Sequence, residues 1–234
     1  MKKSEFKFAV IIPALNEARS ISEVIKRIPD PFRELIIVAD NGSSDGTGEI
    51  AAKLGAHVVV ASERGYGSAC LSGIAYAQQS KPDIYIFLDA DYSDYPEDMT
   101  NIVGALVEKN LDLVIGSRTL GGAEPGALLP QARFGNWLAT RLMYLRFGYL
   151  YSDLGPFRAI HAEAIQRLKM RDRNFGWTVE MQIKALREKL RVGEVSVRYK
   201  KRIGASKITG TVKGTFLAGV KILWTIARHS FNRS

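Results

Sequence analysis

Cysteine is almost missing from this 234-residue chain: Cys70 stands alone, so no internal disulfide can staple the fold. Histidine is scarce too, and His57, His161 and His229 are scattered, which excludes a His-based metal site or catalytic triad. No internal repeat and no low-complexity tract appears. The opening MKKSEFKF holds lysines but no apolar stretch long enough for a signal peptide, so the expected compartment is the cytoplasm. The most apolar long segment, Ile208 to Phe231, is broken by Lys213, Lys221, Arg228 and several glycines, which argues against a membrane-spanning helix. What remains, 46% hydrophobic and 24% charged, is the composition of one globular domain with or without a C-terminal extension. Disorder and collagen-like repetition are thereby excluded.

Charge is unevenly shared. Residues 1 to 117 hold 11 basic and 17 acidic side chains, net −6; the remaining 22 basic and 7 acidic ones give residues 118 to 234 a net +15. A basic field of that size favours nucleic acid, an anionic membrane surface or a phosphorylated substrate. A solvated basic surface with no partner is the plain alternative.

The first half alternates short β-branched runs, at 8–12, 35–40, 57–61, 84–88 and 111–116, with helix candidates at 20–28, 46–54, 69–79 and 97–109. Continuous apolar runs suit strands covered on both faces, and this rhythm predicts an α/β fold with a mostly parallel sheet. Ligands of such sheets sit beyond the carboxyl ends of the strands, where the polar clusters of this chain fall. The second half is less regular: a Gly/Pro-rich loop at 121–130, helices near 135–147 and 178–189, and a half-buried strand at 193–199. The expected organisation is one catalytic domain, 1–207, with an acidic half (1–117) and a basic half (118–207), followed by an amphipathic helix at 208–234. On a helical wheel Phe216, Val220, Leu223 and Ala227 share one face of that last helix, while Lys221 and Arg228 share another. This suits docking on the protein's own core or lying in a membrane interface.

Asp89 and Asp91 end an apolar run with a small residue between them, and can project the same way to hold a hard divalent cation through oxygen. Strand ends also carry Asp simply as turn and capping residues. In D-N-G-S-S-D-G-T (40–47), Ser44 and Asp45 read as helix caps, while Asp40 can accept hydrogen bonds from a base or ribose. Arg64-Gly65-Tyr66-Gly67-Ser68 precedes a helix, so its backbone can approach a phosphate. Cys70, just inside that helix, reads as a packing residue. Arg118, Arg133 and the run Arg198 to Lys207 supply cations, with Arg202, Ser206 and Lys207 able to close over a diphosphate. No aromatic-interleaved motif supports nucleic acid as partner.

Taken in order, V-I-I-P-A-L-N-E, I-I-V-A-D-N-G-S-S-D-G-T, F-L-D-A-D-Y-S-D-Y-P-E-D, G-S-R and a late R-x-G-x-S-K resemble the inverting glycosyltransferases of family 2 with the GT-A fold. Within them the chain resembles the dolichol- or polyprenyl-phosphate mannosyl- and glucosyltransferase branch over about residues 8 to 210. The resemblance implies that Pro13, Leu15, Glu17, Asp40 and Gly42 line a nucleotide pocket. It implies that Asp89, Ala90 and Asp91 meet the donor diphosphate through Mn²⁺ or Mg²⁺. Arg118, Arg133, Arg202, Ser206 and Lys207 match positions that contact donor or acceptor phosphates. Where the branch commonly has a metal-ligating Gln, this chain has Ser93, a weaker ligand. The long hydrophobic C-terminal region of many relatives is missing, so any membrane association is expected to be peripheral, on the cytoplasmic face.

The implied reaction is transfer of mannose from GDP-mannose, or glucose from UDP-glucose, to a polyprenyl or dolichyl phosphate, with Asp91, Arg118 and Glu180 in catalytic positions. Glu180 stands where many family members place a catalytic carboxylate. A phosphate acceptor, already ionised, needs no strong base, and Glu180 is then structural; its plain reading is a first-turn helix residue. The alternatives are a soluble family 2 transferase acting on a hydroxyl acceptor, and a non-catalytic basic module binding nucleic acid or membrane. A sugar nucleotidyltransferase is disfavoured because no G-x-G-T-R-like loop follows the first strand.

Overall fold

A computed structural model of the chain describes residues 6–204 and 212–231. Ser206 and Lys207 lie outside the described residues. Seven strands form one sheet in the order β3-β2-β1-β4-β6-β5-β7. The apolar runs of the first half become β1 (Phe8–Ala14), β2 (Ile36–Asp40), β3 (His57–Val60), β4 (Ile84–Phe87) and β5 (Leu113–Ser117), and GEVSVRY contributes β7 (Val192–Ser196). β1 pairs in parallel with β2 and β4, β2 with β3, and β5 with β7. The expected mostly parallel α/β sheet is therefore the one observed.

β6 (Arg158–His161) is the element missing from the sequence reading, and it runs antiparallel between β4 and β5. Its signature is weak for a physical reason: it is four residues long and begins on an arginine that is fully buried. Helix α6 (Ala162–Leu168), directly after it, was also unmarked by any capping signal. The other helices lie near their expected places: α1 (Ile21–Lys26), α2 (Thr47–Lys53), α3 (Tyr66–Ala77), α4 (Met99–Glu108), α5 (Pro130–Phe147), α7 (Trp177–Arg187) and α8 (Val212–Phe231).

Because side chains alternate along a strand, the central strands feed two cores. Phe8, Val10, Ile12 and Ala14 of β1 pack with α1 and α4, whereas Ala9 and Ile11 pack with α3, α5, α6 and α7. β1, β2, β4 and β5 are buried throughout, and only the edge strands β3 and β7 show the half-exposed pattern of a sheet margin. Truncating a fully buried residue such as Ile11 to Ala costs about 2–5 kcal/mol. α8 packs on α5 and α7, and Ile226 joins the second core. Its apolar stripe is turned the other way: Val220, Leu223, Trp224 and Ala227 are exposed.

Candidate active site

The carboxyl ends of β1, β2 and β4 surround a cavity of about 340 Å³. Pro13, Leu15, Glu17, Asp89, Ala90 and Asp91 line it, together with Arg202. Residues far apart in sequence meet here because parallel strands deliver their C-terminal loops to one rim. Arg202 ties the rim together: Nη2 donates to Glu17 Oε1 at 2.9 Å and Nη1 lies 3.1 Å from Asp91 Oδ2. Arg202 thus belongs to this donor-side cavity. Its Nε is buried with no hydrogen-bond partner among the described residues, which leaves one donor available to an anion.

The Tyr66 hydroxyl donates to Asp89 Oδ1 at 3.0 Å. Burial, and then the adjacent Asp91 charge, push the Asp89 carboxyl up to about 7. Two carboxylates that repel one another at the edge of a cavity fit a hard divalent cation, which would relieve the repulsion. Ser93 is placed otherwise than as a third ligand. It is buried, and both its N–H and its hydroxyl donate to Asp91 Oδ1, so it orients Asp91. The loop carrying these residues is also pinned by backbone bonds, Lys200 N to Ser93 O at 2.9 Å and Ile203 N to Asp91 O at 3.0 Å.

Asp40 is turned into its own loop. Its Oδ1 accepts from the N–H groups of Gly42 (3.1 Å) and Ser43 (2.8 Å), and neither Asp40 nor Gly42 lines the cavity. Asn41, the next residue, does line it and accepts from Gly65 N–H at 2.7 Å. The glycines of R-G-Y-G-S serve close packing: a Cβ on Gly65 or Gly67 would sit 2.1 Å from the carbonyl oxygen of Arg173 or Asp172. That contact seats the 171–175 loop, which brings Asn174 and Phe175 into the cavity wall.

Arg118 and Arg133 share a second cavity of about 270 Å³ with the loop 119–128. Arg118 is committed to Asp153, with Nε to Oδ2 at 2.7 Å and Nη2 to Oδ1 at 2.8 Å, and it stacks over Tyr199. Burial works against its charge, but Asp153 outweighs burial and holds the guanidinium firmly protonated. Arg133 lies in the first turn of α5.

Glu180 lies away from both cavities, because its carboxylate faces the 171–175 loop. It is buried, accepts from the N–H groups of Arg171 and Asp172, and pairs with Lys184 Nζ at 2.7 Å. The family resemblance made it a candidate base, but three donors hold it as a brace for that loop, in keeping with its plain reading as a first-turn helix residue. Asp94 was not anticipated. Its two buried carboxyl oxygens have no hydrogen-bond partner among the described residues, and burial, followed by the charges of Asp89 and Asp91, raises its proton affinity well above the usual carboxylate range. Asn41 and Tyr66 lie inside the motifs D-N-G-S-S-D-G-T and R-G-Y-G-S, whereas nothing in the sequence marked Asp153 as the partner of Arg118.

Residues 9–169 match the family described as Glycosyl transferase family 2. A protein of Mycobacterium tuberculosis described as an uncharacterized glycosyltransferase is 35% identical over 211 residues, 89% of this chain and 93% of its own. The undecaprenyl-phosphate mannosyltransferase of Micrococcus luteus is 27% identical over 90% of each chain. Among solved structures, glucosyl-3-phosphoglycerate synthase of Mycobacterium tuberculosis, crystallised with Mn²⁺, UDP-glucose and phosphoglyceric acid, superposes with a TM-score of 0.78. At 22% identity it covers 99% of this chain and 82% of its own, which establishes the shared GT-A fold.

Proposed function

This chain belongs to glycosyl transferase family 2, and on that premise we propose that it transfers a hexose from a nucleotide sugar to a polyprenyl phosphate at a membrane surface. Mannose from GDP-mannose is the favoured donor pair, with glucose from UDP-glucose second. The mannosyltransferase named above supports the first, and the UDP-glucose-bound structure the second.

The observation that carries the lipid acceptor is the surface beside the Arg118–Arg133 cavity. α5 carries Arg133 in its first turn and turns Phe134, Trp137, Tyr144 and Leu145 outward on one face; α8, packed beside it, exposes Val220, Leu223 and Trp224. Seven of the twelve exposed large apolar side chains among the described residues thus lie on two helices. Those helices hold three basic residues each and no acidic one, the combination that suits an anionic lipid interface. No helix is long and apolar enough to cross a membrane among the described residues, so contact would be peripheral.

In this reading Pro13, Leu15, Asn41 and Phe175 enclose the nucleoside, and Glu17 and Asp91 aim Arg202 at the diphosphate. Asp89 and Asp91 would hold Mn²⁺ or Mg²⁺, which supplies positive charge to the departing nucleoside diphosphate. Arg202 donates to the same leaving group through its unpartnered Nε–H. Arg133 draws the acceptor phosphate into the second cavity, while the Asp153–Arg118 pair fixes that cavity's wall. The acceptor oxygen is already an anion and attacks the anomeric carbon in line, without a base. Glu180, occupied as a brace, is consistent with that.

The test is incubation of the protein and Mn²⁺ with labelled GDP-mannose or UDP-glucose, with and without polyprenyl phosphate, following label into the organic phase. Lipid-phase label from one donor is the expected result. Nucleotide release without lipid label would transfer the reading to a hydroxyl acceptor. Absence of both would overturn the enzyme reading, and salt-sensitive nucleic-acid binding would then favour the non-catalytic module.

A further inference from the structure

A third and larger cavity, about 890 Å³, lies on the far side of the 171–175 loop from the donor-side pocket, between that loop, the outer face of α7, and α8. Eight arginines and lysines line it against three carboxylates. The carboxylates are already used: Glu180 by Lys184, Asp172 by Lys221 at 2.8 Å, and Glu188 by Arg167 at 3.7 Å. Lys169, Arg171 and Arg228 have no carboxylate partner among the described residues. Trp224 carries Lys221 at 4.7 Å and Arg228 at 5.1 Å on its ring, which holds both cations at the cavity mouth. Burial lowers the proton affinity of the His229 imidazole on the same wall; Glu180 opposes that, and the charges of Lys184, Arg187 and Arg228 add to it.

The geometry points to a second anion site, distinct from the donor and acceptor cavities, that takes a phosphate-bearing ligand on Lys169, Arg171 and Arg228 with Trp224 as its apolar wall. Phosphate is the group that matches: several guanidinium donors converge from two chain segments, and a planar guanidinium can bind phosphate oxygens in a fork. The cavity opens beside the outward apolar stripe of α8, so the phosphate can come from a lipid headgroup or from a soluble compound. No step of sugar transfer is asked of this site.

Calorimetric titration of the intact protein with inorganic pyrophosphate, without divalent metal, reads the site directly. The double variant Arg171→Ala/Arg228→Ala is expected to weaken binding at least tenfold, whereas the charge-conserving Arg171→Lys/Arg228→Lys should retain most of it. Circular dichroism of both variants checks folding. A parallel arm measures sedimentation with phosphatidylcholine vesicles, with and without phosphatidylglycerol. Loss of binding to anionic vesicles in the Ala variant assigns the phosphate to a headgroup; loss of pyrophosphate binding alone assigns it to a soluble ligand. The proposal is overturned if neither probe responds to the double Ala variant, or if Arg202→Ala, at the donor-side pocket, removes pyrophosphate binding instead.

Discussion

In the first half of the chain the chemistry-bearing side chains stand where buried parallel strands end; in the second half the cations stand on helices α5, α7 and α8 and on the loops between them. The acidic groups therefore share one rigid rim, where burial first, and then one another's charge, raise the proton affinities of Asp89 and Asp94. The basic groups are spread over three cavities and an outward helical surface. The difference teaches a division of labour: convergence concentrates charge for a small, multiply charged donor, whereas dispersion offers a broad field to a large anionic surface.

The comparison breaks most sharply at Asp91. Asp91→Ala removes one of the two cation-holding carboxylates and the anchor of Arg202, and should lower kcat/KM for sugar transfer by about 10³-fold or more while vesicle binding is unchanged. Arg133→Ala tests the other half, and should raise the acceptor KM about tenfold with donor affinity preserved. Leu145→Asp places a carboxylate on the most exposed apolar position of α5, and is expected to weaken sedimentation with anionic vesicles several-fold without changing the melting temperature. Glu180→Gln keeps an acceptor for the loop N–H groups, so transfer should fall by less than about fivefold; a loss of about 10² or more would restore a base and a hydroxyl acceptor.

The smallest effect sharpens the electrostatic side. Asp89 and Asp94 keep their protons to higher pH in the folded chain than in the unfolded one, so the folded state binds more protons above the ordinary Asp range. Their share of the metal-free stability falls as pH rises from about 4 through neutrality. Asp94→Asn removes that residue's share, and its melting temperature between about pH 5 and pH 8 should decline by a few degrees less than the parent's.

The two halves also differ in how much their sequence disclosed. Strands β1, β2, β4 and β5 were legible because each is an apolar, largely β-branched run buried on both faces, and the acidic rim followed from where those runs stop. Which way a side chain turns was not legible. Asp40 and Asn41 are neighbours in one motif, yet only Asn41 lines the cavity, because two adjacent backbone N–H groups capture Asp40. Glu180 was likewise captured by N–H groups from the 171–175 loop, which no spacing in the sequence connects to it. Arg118 is visible in the sequence as a cation, but its partner Asp153 lies 35 positions away across a loop and a helix.

The position of β6 has a consequence for how the molecule comes into being. β4 and β5 have no hydrogen bonds to each other, and the strand that joins them, Arg158–His161, is synthesised only after residues 118–157 have emerged. β1 to β4 can pair as a four-stranded unit during synthesis, while β5 must wait with both edges bare for β6 and β7. A chain released before His161 would therefore expose two hydrogen-bonding margins of an apolar strand, the kind of edge that nucleates self-association.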